Sequence, residues 1–151
     1  IRKADHICRA TVAGRLNRFL TEIIHGSMMI QITSLPFRKL VIAEFSGFLA
    51  LEEVAEYERK KVAAVRAMDL ASGEFDLLVD TSQCDIQAQD VVAAFQHNIA
   101  TTPFRPRRVA LIWAASLARM QAQRALNREN AGLFDSRAEA LDWLHKEALA
   151  V

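Results

Sequence analysis

Two runs in this chain, FDLLV at residues 75–79 and VALIW at 109–113, are apolar at nearly every position. A strand with one wet face alternates polar and apolar residues, whereas a near-continuous apolar run suits a strand covered on both sides, as in a parallel sheet. Parallel neighbours require a crossover of a dozen or more residues between them. The intervening stretch supplies it, because Val92, Phe95 and Ile99 repeat at helical spacing from about Gln87 to Ala100, until Pro103 and Pro106 stop the pattern. Helix-connected buried strands make this an α/β chain.

The remaining segments fit the same plan. MMIQIT (28–33) and KLVIAEF (39–45) are short β-branched runs joined by SLPFR, which predicts a hairpin with Pro36 in its turn. Residues 50–68 place Leu51, Val54, Val62, Val65 and Met68 on one side of a helix and Glu52, Glu53, Glu56, Arg59, Lys60 and Lys61 on the other, and Ser72 and Gly73 end it. A helix is expected from Ser116 to about Glu129, then a short GLF strand. A last helix, with Ser136 and Glu139 at capping-box spacing, buries Leu141 and Leu144. The expected order is ββαβαβαβα, with right-handed crossovers building one mostly parallel, mixed sheet of about five strands.

At 151 residues the chain has the size of one domain that needs no metal or disulfide to hold its core. Cys8 and Cys84 have neither CxxC spacing nor a nearby histidine pair, which suits a reducing, cytoplasmic setting and two incidental thiols. The longest strongly apolar run, Val109 to Ala118, is far short of the roughly 20 residues of a membrane span.

The net charge of +1 hides a segregation. Residues 1–27 hold Arg2, Lys3, Arg9, Arg15 and Arg18 against Asp5 and Glu22, with Leu16, Phe19, Leu20, Ile23 and Ile24 on one helix face. A basic amphipathic helix is expected there, packed on the domain or a partner or lying on an anionic membrane. Met28 and Met29 stand directly before the first strand, so residues 1–27 are expected to be accessory and 28–151 to form the domain.

The element order, with the local texts GFLALEEVAEY, FDLLVD, VALIW and above all GLFDSRAEALDWL, resembles the SpoIIAA-like family of the STAS superfamily over about residues 29–147. The resemblance implies a STAS fold and a non-enzymatic module that binds a protein partner or a second copy of itself. Related shapes bind lipids or nucleotides. In anti-sigma antagonists of this superfamily a strand ends in Asp and the next helix opens with Asp-Ser-Ser-Gly-Leu, one serine being phosphorylated. Asp80 matches the strand-end acid, but DIQAQD at 85–90 has neither serine nor glycine, so no residue here inherits the phosphoacceptor role.

Three sets of residues are candidates for a site. Phe48, Asp80, Thr81, Ser82, Trp113 and Ser116 follow strand ends, where open α/β sheets form a crevice suited to an apolar small molecule. Their plainer reading is turn chemistry and core packing, with Asp85 capping the following helix. A small enzyme using Asp80, Cys84 or Asp85 is the rival, Cys84 standing near a helix start where a thiol pKa falls. However, GxSxG, HExxH, Gly-rich phosphate loops and dinucleotide fingerprints are absent, and no metal or cofactor is expected.

The third set is basic. No acidic residue occurs from Val91 to Arg128, where Arg105, Arg107, Arg108, Arg119, Arg124 and Arg128 stand. The text PFR occurs twice, as Pro36-Phe37-Arg38 before one strand and Pro103-Phe104-Arg105 before another. Phe37, Arg38, Phe104, Arg105, Arg107, Arg108, Arg124 and Arg128 are therefore expected to gather at the amino end of the sheet and to face a lipid or anionic surface. The alternative is that the phenylalanines plug the core and the arginines complement helix ends. A pI near 8.0, rather than above 9, turns the reading away from nucleic acid.

Overall fold

The computed structural model describes residues 30–113, 120 and 130–149. The expected N-terminal basic helix, Ser116, Arg124 and Arg128 lie outside the described residues. Strands β1 (Ile30–Leu35) and β2 (Leu40–Gly47) form the antiparallel hairpin. Its turn is a single 3₁₀ turn, Pro36–Arg38, closed by Lys39 N donating to Pro36 O at 3.1 Å. Lys39 takes a left-handed φ of 50° to make that closure. Helix α1 (Leu51–Ala67) leads to β3 (Asp76–Cys84), helix α2 (Gln89–Thr101) to β4 (Arg108–Ile112), and β5 (Ala131–Phe134) is followed by helix α3 (Arg137–Leu149). The five strands lie in sequential order, with β2 to β5 mutually parallel.

The sheet is covered on both faces, which is why its central strands are apolar throughout. Val41, Ala43, Phe45, Leu77 and Val109 join Val54, Tyr57, Val65 and Val91 under α1 and α2. Leu40, Ile42, Leu78, Ala110 and Ile112 pack against Ala140 and Leu144 of α3. These two sets alternate along each strand, as the pleat demands. Right-handed crossovers through a sequentially ordered sheet place α1 and α2 on the same face, as observed. Ser136 Oγ accepts from Glu139 N at 3.3 Å at the start of α3, half of the expected capping box.

Three local expectations need correction. Strand β3 does not end at Asp80 but continues to Cys84, because β2 also continues and offers Ser46 and Gly47 as partners for Gln83 and Cys84. Helix α2 starts two residues later than expected, after Ala88, with no side-chain cap, so Asp85 does not cap it. Lys61 is on the buried face of α1, at 4% exposure, because Val54, Tyr57, Lys61 and Val65 follow one stripe at helical spacing.

Candidate functional site

The stretch from Asp80 to Cys84 contains a β-bulge. Between Asp80 and Gln83 the three-residue step of β3 is matched by two residues of β2, from Glu44 to Ser46. A bulge changes the facing of the side chains beyond it. Thr81 and Cys84, which a regular strand would send to opposite faces, both line one cavity. Asp80 Oδ1 accepts from Ser82 N at 2.9 Å within this irregular segment, and Thr81 Oγ1 donates to Ile112 O at 2.7 Å across to β4. These contacts give the hydroxyl and carboxylate groups structural partners.

The cavity has a volume of about 160 Å³ and lies between the sheet and helices α1 and α2. Its walls include Leu49, Leu77, Val79, Val92 and Ile99, together with Phe45, Tyr57 and Phe95. Those three rings form a cluster with centroids 5.0 to 5.9 Å apart. Into this apolar setting α1 inserts an ion pair, Lys61 Nζ standing 2.7 Å from Glu58 Oε2. Lys61 also donates to Thr102 Oγ1 at 3.3 Å and lies 5.6 Å from the centre of the Tyr57 ring. Both Glu58 oxygens are buried, Oε2 against the Lys61 ammonium. Burial, and secondarily the Glu58 charge, raises the Tyr57 phenol well above its ordinary pKa. Tyr57 thus stays protonated.

Cys84 is the thiol of this cavity wall. Burial first, then the charges of Asp85 and Asp80, push its pKa up to about 12. That is the reverse of the activation expected of a nucleophilic cysteine. Among the described residues, no three His, Cys, Asp or Glu side chains are placed to hold a metal.

Beyond the ends of β2 and β3 three large apolar side chains are exposed. Phe48, Leu51 and Ile86 are 61%, 47% and 46% exposed. They sit on two segments fastened together by Gln87, whose Oε1 accepts from Leu49 N at 2.8 Å and whose Nε2 donates to Gly47 O at 2.9 Å and Asp85 O at 2.8 Å. Asp85 N adds a bond to Gly47 O at 3.2 Å. Glu52, Asp85 and Asp90, close to these residues in sequence, are exposed as well.

The crevice candidates divide accordingly. Thr81 enters the cavity, Phe48 is exposed beyond β2, Asp80 and Ser82 serve the bulge, and Trp113 is half-buried just beyond β4. The basic candidates share the amino end of the sheet but not one role. Phe37 is fully exposed beside Arg38, whereas Phe104 packs against the core with Arg66 over its ring at 5.6 Å. Arg107 makes two bonds to the buried Asp76 carboxylate, at 3.1 and 2.7 Å. That carboxylate holds the Arg107 guanidinium pKa above its ordinary value. Arg108 lies 5.9 Å from the Trp143 ring centre. Arg105 donates to Ala100 O at 3.3 Å near the end of α2.

Lys61, Glu58, Tyr57, Gln87, Leu51 and Ile86 are the participants that sequence reasoning missed. The signal for Lys61 was its place in the Val54–Tyr57–Val65 stripe; for Gln87 there was none, since its partners are backbone groups about 40 residues away.

No protein-family model and no curated protein sequence matches this chain. Its structure resembles that of a DUF3478-family protein with a SpoIIAA-like fold from Shewanella loihica PV-4. The TM-score is 0.57 at 20% identity, over 78% of this chain and 93% of that one. It also resembles an anti-sigma factor antagonist from Mycobacterium paratuberculosis, with a TM-score of 0.53 at 12% identity, over 79% and 95% of the two chains. Among the described residues, the mixed five-stranded sheet with two helices on one face and a third on the other thus has a SpoIIAA-like fold.

Proposed function

We propose that this chain is a non-enzymatic, cytoplasmic regulatory module that works by docking a protein through Phe48, Leu51 and Ile86. The exposure of these three large apolar side chains on two fastened segments is the observation that carries the reading. Clustered apolar exposure on a folded domain marks an interaction surface, whereas single exposed residues do not. Glu52, Asp85 and Asp90, exposed and close to them in sequence, suit a partner with an apolar centre and a basic rim. Two further observations support a binding role over catalysis. The Cys84 thiol is held protonated, and the hydroxyl of Thr81 is bound to backbone. The anti-sigma factor antagonist among the similar structures is itself a regulator, which agrees with this reading.

Photo-crosslinking in cells tests it. A benzophenone side chain placed at Phe48, Leu51 or Ile86 is expected to give one discrete adduct shared by the three positions. The same probe at the exposed Gln31 or Thr33 of β1 should give none. Adducts of equal yield at all five positions would defeat the docking face.

A second reading rests on Phe37, which projects fully into solvent from a turn carrying Arg38 and Lys39. With Arg105 at the same end of the sheet, this tip suits an anionic membrane surface. Binding to vesicles rich in phosphatidylserine should fall several-fold between 50 and 300 mM salt, and again in Phe37→Ser, by about 1 kcal/mol or more. Equal binding to neutral and anionic vesicles would contradict it.

A further inference from the structure

Helix α2 has an inner side that the sheet does not fill. Val92, Phe95 and Ile99 line the cavity at helical spacing, yet each is only half-buried, and Val91 is the one residue of α2 buried outright. Turn after turn, the helix thus presents apolar surface to a space rather than to packed side chains, an arrangement that an apolar occupant would stabilise.

The shape of that space narrows the occupant. On α2 the lining runs from Val92 to Thr102, about 15 Å of helix, and on β3 from Leu77 to Thr81, about 13 Å of strand, before reaching Cys84. A dry, rounded cavity of about 150 Å³ accommodates a benzene-sized ring, but the present 160 Å³ is drawn out along the helix and is therefore narrow. Its two ends differ. At one, Lys61, Thr102, Pro106 and Val109 are buried, and the Lys61 ammonium is already held by Glu58 and Thr102. At the other, Gln87 is half-buried and Asp85 exposed, so the cavity opens beside Asp85.

We propose that this cavity takes one unbranched aliphatic chain of roughly six to eight carbons, which enters beside Asp85 and leaves an uncharged polar head in water there. Shape selects the chain, since a ring-shaped or branched body needs width that the cavity spends on length. Charge selects the head, since a carboxylate would stand beside the Asp85 carboxylate. Straight-chain aliphatic alcohols are the simplest members of this class. The inference rests on the cavity and stands independently of docking through Phe48, Leu51 and Ile86.

The experiment titrates the full chain, with its Ile, Leu and Val methyl groups labelled for NMR, with the straight-chain alcohols from 1-butanol to 1-decanol. Cyclooctanol and octanoate are the comparators. 1-Octanol should bind saturably, about tenfold or more tightly than cyclooctanol, which has the same carbon number and hydroxyl, and more tightly than octanoate. Affinity should rise about fourfold for each added CH₂ up to 1-octanol and level off by 1-decanol. The terminal methyl of 1-octanol should show nuclear Overhauser contacts to Leu77 and Val109 and none to Leu51 or Ile86. Val92→Phe, in the first turn of α2 near the opening, should weaken 1-octanol binding at least tenfold while circular dichroism stays native. Equal affinity for 1-octanol and cyclooctanol, preference for octanoate, a rise undiminished to 1-decanol, contacts confined to Leu51 and Ile86, absence of saturable binding, or binding unchanged in a folded Val92→Phe protein would each overturn the proposal. The cyclooctanol comparison and the methyl contacts decide the matter even if Val92→Phe fails to fold.

Discussion

Cys84 ends β3 with its thiol in a cavity wall rather than in the first turn of a helix, and its chemistry follows from that place. With a pKa near 12 against an ordinary 9.0, the native thiolate is roughly a thousandfold scarcer at neutral pH than that of a free thiol. Iodoacetamide at pH 8 should label the Cys84 peptide at least a hundredfold more slowly in the native protein than in urea, as read by mass spectrometry. The same shift has a stability consequence. The folded chain keeps a proton that the unfolded chain releases, so stability falls as pH rises from about 9 to about 12 and is insensitive to this group below that window. A thiol labelled as fast in the folded as in the unfolded chain would return the enzyme reading to contention. Nothing in the text SQCD told that Cys84 faces inward, because its facing depends on a bulge set by pairing with β2. Arg107 is a similar case. Its run of neighbouring arginines suggested a surface patch, while its guanidinium holds the Asp76 carboxylate of the adjacent strand.

At the scale of elements, α1 shows what a charge pattern conceals. The helix shows an acidic and basic outer face in sequence, yet Lys61 belongs to its inner stripe with Val54, Tyr57 and Val65. A buried pair is costly to break from one side and far less costly to replace as a whole. Lys61→Met should therefore lower stability by about 3 kcal/mol, leaving the Glu58 carboxylate without its counter-charge. The double variant Lys61→Met with Glu58→Leu should return to within about 1 kcal/mol of the parent in urea unfolding. Additive losses would show that the two side chains are not coupled. Among the described residues, strand identity and helix identity were legible from periodicity, because burial on two faces or one stamps the apolar pattern directly. Element ends were less so. Strand β3 outran its apolar run since ladder partners on β2 outweigh local propensity, and α2 began late at an uncapped Ala88.

Across the whole molecule, the two ends of the parallel strands differ in character. The amino end carries Phe37 with Arg38, Lys39 and Arg105, and the carboxyl end carries Phe48, Leu51 and Ile86, with Glu52, Asp85 and Asp90 close to them in sequence. The segment from Asp85 to Ala88 belongs to two features at once, since Asp85 and Gln87 line the cavity and Ile86 is exposed. The fold could be read from the sequence because two buried apolar strands and a helical crossover permit few arrangements. Of the candidate site, Phe48, Thr81, Cys84 and Asp85 were legible and the rest was not. The rest depends on strand register, on a bulge and on how two helices sit over the sheet, none of which leaves a local motif. Native mass spectrometry of gently purified protein tests the docking claim most directly, comparing the parent with the triple variant Phe48→Ser, Leu51→Ser, Ile86→Ser. The parent should carry one further polypeptide, a partner or a second copy, and the folded variant should lose it. A parent that runs alone, or a complex that survives in the variant, would contradict the account.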